Sequence, residues 1–206
     1  MEEILKKYSL EVDEKQVAAT VDEAKESAKN TVPEQLKQCF NSIDLTTLNA
    51  TDTVSQVKMM AEKVSNFSNV YLDLPNVAAI CVYPALVGTV RKNLSDANVK
   101  IAAVTAGFPA SQTFIDVKIK ESQMAIENGA DEVDIVISLG RFLDEDYAFV
   151  YNEISKIKQS VGNTHVKAIL ETGALKNLNL IRIAALIAME AGADFVKTST
   201  GKFYDA

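Results

Sequence analysis

Histidine, cysteine and long apolar runs are scarce in this 206-residue chain, and each scarcity removes a class of function. The one histidine is His165, so a multi-histidine metal centre is excluded. The two cysteines, Cys39 and Cys81, lack metal-ligand spacing and read as reduced, buried thiols of a cytosolic protein. No apolar stretch approaches the roughly 18 residues that a membrane span needs. The acidic start Met1-Glu2-Glu3 has no apolar segment of the kind that marks a secretory leader. Basic residues are outnumbered, 21 against 28 acidic ones, which gives a formal net charge of -7. Such a field repels polyanions, so neither nucleic acid nor membrane is an expected partner, although a few lysines together could still hold a small anion. No Gly-x-Gly-x-x-Gly follows a strand candidate and no Gly-x-x-x-x-Gly-Lys-Ser/Thr occurs, which leaves dinucleotide and P-loop sites without support.

What is present is alternation. With 48% hydrophobic and 24% charged residues the chain can build a sizeable core. Residues 1–40 are polar and helix-forming and read as an N-terminal helical extension, with one domain over 41–206. From residue 42 onward short β-rich runs, at 42–48, 78–83, 100–105, 132–137, 166–171 and 195–198, alternate with longer amphipathic ones near 51–66, 85–96, 112–128, 146–160 and 177–191. That order predicts an α/β fold of βα units around a parallel sheet. Asp52, Thr53 and Ser111 are expected at helix N-caps or first turns. Gly129 and Gly192 stand where positive-φ C-terminal caps are wanted. Leu178, Ile181, Ala185, Ala188 and Met189 predict an apolar helix face that packs into the core. One short repeat reinforces the pattern: Glu127-Asn128-Gly129-Ala130-Asp131 recurs as Glu190-Ala191-Gly192-Ala193-Asp194, two βα units later, each copy leading into a strand.

The chemistry-bearing residues sit inside the last three apolar runs: Asp134 in Glu-Val-Asp-Ile-Val, Lys167 in His-Val-Lys-Ala-Ile, Lys197 in Phe-Val-Lys-Thr-Ser. Each stands at a similar depth, so on neighbouring strands they are expected to converge on one interior layer. A structural salt bridge accounts for one lysine with Asp134 but not for two lysines sharing one acid. Mutual repulsion and partial burial both lower a lysine's pKa, and a neutral amine is what attack on a carbonyl requires. Polar groups also stand at other strand ends, in Asp44-Leu45-Thr46-Thr47, Cys81-Val82-Tyr83-Pro84 and Thr198-Ser199-Thr200-Gly201-Lys202. The last could hold a phosphate through backbone N–H groups and Lys202.

Taken in order, Ile43-Asp44-Leu45-Thr46-Thr47-Leu48, Ala79-Ile80-Cys81-Val82-Tyr83-Pro84, Gly107-Phe108-Pro109, Gly129-Ala130-Asp131-Glu132-Val133-Asp134, Lys167-Ala168-Ile169-Leu170-Glu171-Thr172-Gly173 and Gly192-Ala193-Asp194-Phe195-Val196-Lys197-Thr198-Ser199-Thr200-Gly201-Lys202 resemble the deoxyribose-phosphate aldolase family. The resemblance implies a TIM (β/α)8 barrel, of which about six βα units lie in this chain. It implies reversible cleavage of 2-deoxy-D-ribose 5-phosphate to D-glyceraldehyde 3-phosphate and acetaldehyde, with no metal and no cofactor. In that family pattern Lys197 takes the Schiff-base position, Asp134 the proton-relay position, and Lys167 lines the same pocket. Gly201 and Lys202 match part of the phosphate-side loop, and Asp44, Thr46 and Cys81 match substrate-pocket positions. The run around Lys197, with the Asp-Glu-Val-Asp strand, argues against a different class I aldolase or a transaldolase. The family continues with two further βα units carrying a Gly-Phe-Lys-Pro-Ala-Gly-Gly type strand, so the chain reads as C-terminally truncated. Open sheet edges then favour homo-oligomers or aggregation, turnover near background is expected, and a catalytically inactive binding or assembly module is the alternative reading.

Overall fold

The computed structural model describes residues 2–203; Met1, residues 204–206 and the side chains of Glu2 and Ile4 lie outside the described residues. The chain runs α1 (Glu2–Leu5), α2 (Glu14–Ala28), α3 (Pro33–Phe40), β1 (Asp44–Thr46), α4 (Val54–Ser65), α5 (Phe67–Val70), β2 (Ala79–Val82), a 3-10 turn (Pro84–Leu86), α6 (Val87–Asn93), β3 (Lys100–Thr105), α7 (Ile115–Glu127), β4 (Glu132–Val136), α8 (Leu139–Leu143), α9 (Tyr147–Val161), β5 (His165–Ile169), α10 (Thr172–Leu175), α11 (Leu178–Glu190) and β6 (Phe195–Lys197). All six expected strands form, as do the five longer helices between them.

Two compact units result. The first holds residues 14–103 and 128–131. Here β1, β2 and the start of β3 pair in parallel, Thr46 opposite Cys81 and Cys81 opposite Ala102. Helix α4 begins at a capping box: Thr53 Oγ1 accepts from the Gln56 amide at 3.2 Å, and Gln56 Oε1 accepts from the Thr53 amide at 2.9 Å. Asp52, expected at a cap, instead accepts from the Thr47 hydroxyl at 2.8 Å and the Asn49 amide at 2.9 Å, because the chain is still turning there. Helices α2 and α3 bury none of their residues, so Cys39, expected to be buried, is exposed on α3.

The second unit holds residues 1–13, 104–127 and 132–206. Strands β4, β5 and β6 pair in parallel, with Asp134 opposite Lys167 and Ile169 opposite Lys197. Every residue of β4 is buried, as a parallel strand covered on both faces requires. Val133 and Ile135 of β4 and Val166 and Ala168 of β5 pack with Ile154 and Ile157 of α9 and Ile187 of α11. The buried face of α11 centres on Ala184, Ile187 and Ala188. Leu178 and Met189, expected on that face, are 36% and 50% exposed, since an apolar period fixes a stripe only to within a residue or two. Residues 5–12 strap this helix: the Tyr8 hydroxyl donates to Glu190 Oε1 at 2.5 Å and the Val12 amide to Asn179 Oδ1 at 2.8 Å.

Ser111 is not a cap either. It is buried at φ 58°, and its hydroxyl donates to the Val136 carbonyl at 2.8 Å while accepting from Lys118 Nζ at 2.7 Å. The fully buried Lys118 also reaches Glu153 Oε1 at 2.6 Å, so the far end of β4 is fixed by a satisfied ionic network.

The short sequence repeat is a repeated clamp at the start of strands. Asp131, just before β4, donates its amide to the Ile101 carbonyl and accepts the Ile101 amide on Oδ2 at 2.9 Å. Asp194, just before β6, does the same with Val166, accepting at 2.8 Å. A cation from the helix before the clamped strand completes each: Arg91 of α6 at 2.7 Å, Lys158 of α9 at 2.7 Å. The glycines two residues earlier carry φ of 107° and 93°, as a helix-to-strand turn this tight requires.

Partial burial pushes the Asp194 carboxyl up, but the Lys158 hydrogen bond, the Val166 amide and the Lys158 charge outweigh it and hold it below the usual range. A depressed carboxyl stabilises the fold above its unfolded pKa and loses that contribution as pH falls through the folded one. Asp194→Asn should therefore lower stability at pH 7 by about 1 kcal/mol. Urea unfolding at pH 7 and near pH 2.5 should show the gap from the native chain closing at the acid end; an equal gap at both pH values contradicts the clamp.

Candidate active site

The three ionisable residues singled out in the sequence do meet, though not in the way their depth predicts. Side chains alternate along a strand, so Glu132 and Asp134 project from the same face of β4, opposite to Val133 and Ile135. The register places Asp134 beside Lys167, and Glu132 beside His165. Lys197 does not share that level. It lies opposite Ile169, two residues further toward the C-terminal end than Lys167, and its long side chain slants back to Asp134. Lys197 Nζ donates to Asp134 Oδ2 at 2.5 Å. Asp134 is fully buried, whereas the Lys197 side chain keeps 29% of its surface open, an ammonium at the rim of a buried carboxylate.

Two lysines do share Asp134, but unequally. Lys167 Nζ lies 2.5 Å from Glu132 Oε2 and 3.9 Å from Asp134 Oδ1. Its own counter-ion is Glu132, which stands one strand period below Asp134, and Asp134 is thereby left closer to Lys197. His165 Nδ1 lies 3.6 Å from the other Glu132 oxygen. Buried ions are tolerated when each has a close partner, and here acids and amines interleave across β4, β5 and β6. Glu132 went unnoticed in the sequence because it reads as the first residue of a strand; its spacing of two from Asp134 was the available signal.

The remaining expected residues fall into two groups. Asp44, Thr46 and Cys81 share one face of β1 and β2 in the other unit: Cys81 is buried, Asp44 half-buried, and Thr46 exposed with its hydroxyl on the Asp44 carbonyl at 2.9 Å. Gly201 and Lys202 lie in the loop after β6, both exposed, with Gly201 at φ 71°. That loop is tied to Glu171, at the end of β5, through buried Thr200. Glu171 too was quoted in the sequence without a role.

Parallel βα units that carry a lysine against a buried carboxylate define a βα protein with an amine beside an acid on neighbouring strands. A family model described as DeoC/LacD family aldolase matches residues 39–205. The chain belongs to that family. It is 39% identical over 177 residues to the deoxyribose-phosphate aldolase of Homo sapiens, and 37% over 195 residues to a relative from Caenorhabditis elegans, covering 81% and 92% of this chain. The chain spans 56% and 63% of the length of those two relatives. A solved tetrameric deoxyribose phosphate aldolase from Aeropyrum pernix aligns with a TM-score of 0.68 at 28% identity, over 81% of this chain and 66% of that one. The fold class expected from the sequence, a partial (β/α) barrel, is the one these relatives share.

The pairing of Lys167 with Glu132 makes a stability prediction that needs no catalysis. Lys167→Met leaves Glu132 buried against an apolar side chain and should cost about 3 kcal/mol, the usual penalty for removing one partner of a buried pair. Adding Glu132→Gln should return most of it. Chemical unfolding of the two single variants and the double variant gives the coupling directly, and strictly additive losses would mean that the two groups do not depend on each other.

Proposed function

We propose that this chain carries the amine centre of a deoxyribose-phosphate aldolase, which reversibly cleaves 2-deoxy-D-ribose 5-phosphate to D-glyceraldehyde 3-phosphate and acetaldehyde. The single observation that carries the reading is the contact of Lys197 Nζ with buried Asp134 Oδ2 at 2.5 Å, on the last strand of a chain in this aldolase family. The Lys197 amine adds to the open-chain aldehyde of the sugar, and loss of water gives an iminium. The iminium draws electrons, so the bond between C2 and C3 breaks as the C3 hydroxyl loses its proton. Glyceraldehyde 3-phosphate leaves. The remaining enamine takes a proton at C2, and hydrolysis frees acetaldehyde and the amine.

Each stage moves a proton at or near the amine nitrogen, and Asp134 is the group within reach to take and return it, with a bridging water where the distance demands one. Lys167 stays beside Asp134, held there by its ion pair with Glu132. Gly201 and Lys202 receive the phosphate, whose binding positions the reacting carbons. Asp44, Thr46 and Cys81 contribute to the sugar pocket. No step in this scheme calls on a metal or a cofactor.

On this reading residues 41–206 belong to the barrel and 1–40 are a helical extension. The chain works as a homo-oligomer on a small phosphorylated sugar, in deoxyribonucleotide and carbohydrate breakdown in the cytoplasm. Among the described residues no helix is long and apolar enough to cross a membrane.

Borohydride reduction in the presence of acetaldehyde, followed by peptide mass mapping, should place the adduct on Lys197; an adduct mainly on Lys167 removes the assignment. Acetaldehyde makes the smallest demand on the rest of the site and suits the chain as it stands. Asp134→Asn should slow adduct formation by roughly 10²–10⁴-fold while the chain stays folded. If the rate per folded molecule is unchanged, Asp134 is a structural partner only.

A further inference from the structure

The buried acid Glu171 has no part in the chemistry described above, and its backbone is in an uncommon conformation. It follows β5 at φ 52°, ψ 60°, the left-handed region, and is 2% exposed. A buried carboxylate on a non-glycine residue in that region persists only where its surroundings hold it there. Two bonds bracket it: the Leu170 amide donates to the Lys197 carbonyl at 2.9 Å, and the Thr172 amide to the Thr198 carbonyl at 2.8 Å. A regular parallel ladder advances two residues on both chains between such bonds. Here the β5 side advances two and the β6 side one, so Glu171 takes up an extra residue, as a bulge does.

The bulge re-aims its side chain onto the loop that follows Lys197. Glu171 Oε1 accepts from the Thr200 amide at 3.0 Å, and Oε2 accepts from the Thr200 hydroxyl. The same hydroxyl accepts from the Lys202 amide at 3.0 Å. One buried carboxylate therefore fixes Thr200, Thr200 fixes the backbone of Lys202, and Gly201 between them turns at φ 71°. Lys202 itself is exposed.

We infer that Glu171 is a positioning residue: acting through Thr200, it holds the loop from Thr198 to Lys202 in its phosphate-receiving form, and so sets the preference for phosphorylated over unphosphorylated sugars at Lys197. The inference rests on the proposed Schiff-base reading. It predicts an effect on one part of the substrate only. Charge alone does not explain the residue, since a bare carboxylate beside an anion site would weaken it; both carboxylate oxygens are engaged by Thr200.

The test uses borohydride trapping on Lys197, mapped by peptide mass, with three carbonyl compounds: acetaldehyde, 2-deoxyribose and 2-deoxyribose 5-phosphate. The native chain should trap the phosphorylated sugar in preference to the unphosphorylated one. In Glu171→Gln and in Thr200→Val that preference should fall about tenfold, the scale of one charge-assisted hydrogen bond. Acetaldehyde trapping should persist in both, and Thr200→Ser, which keeps the hydroxyl, should behave as native. If Glu171→Gln does not fold, the pair Thr200→Val and Thr200→Ser decides the matter. A preference that is unchanged or raised overturns the inference, as does an equal loss with all three compounds, which marks a purely structural role. Native trapping without any phosphate preference overturns it as well while leaving the Schiff base intact. No native adduct even with acetaldehyde overturns the Schiff-base reading and this inference with it.

Discussion

The buried carboxylate of Asp134 constrains everything around it. An ionised acid at zero exposure would be intolerable alone in the middle of a fully buried strand, so Asp134 can stay charged there only if cations are brought to it. The parallel register supplies Lys167 from β5, and the slant of a long side chain supplies Lys197 from β6. Because Lys167 is engaged at shorter range by Glu132, the short contact of Asp134 falls to the lysine that remains partly open to solvent. The interaction that makes the strand buriable is also the one that sets an amine beside a proton acceptor.

The two ends of the strands are held in different ways. The clamps are the same in kind: Asp131 is locked to the backbone of Ile101 and to Arg91, and Asp194 locks the start of β6 to the backbone of β5 and to Lys158. At the far ends the chain departs from regular geometry. Ser111 and Glu171 sit at positive φ, and both spend their side chains on holding a neighbouring segment. Bonding is regular and repeated where strands begin, and uncommon conformations gather where they end, on the side of the candidate site.

Each ion in this cluster is served by a particular partner, so single substitutions and paired ones should behave differently. A carboxylate stripped of its ammonium is worse than no ion pair at all. The Lys118–Glu153 pair beside β4 obeys the same logic with no role in the chemistry proposed, and shows that burying an ion pair in this fold is not by itself a sign of catalysis. What separates Lys197 from Lys118 is access: one side chain is partly open at the end of a strand, the other is sealed.

Strand positions, the two glycine turns and the meeting of Asp134 with Lys167 and Lys197 were legible in the sequence, because they depend on periodicity and local conformation. A period of two tells which face a residue occupies, and a glycine before a strand tells where the backbone must turn. Neither tells which residue of the next strand lies opposite. That is why Lys197 stands two residues beyond its expected level, why Glu132 emerged as the partner of Lys167, and why Ser111 and Asp52 are not caps. The role of Glu171 was further out of reach, since it follows from an offset of one residue between two strands 26 positions apart, from Glu171 to Lys197. The sequence by itself determined the elements and the ionisable residues they carry; the tertiary structure alone decided the pairing of charges, because register is a relation between strands and no single strand contains it.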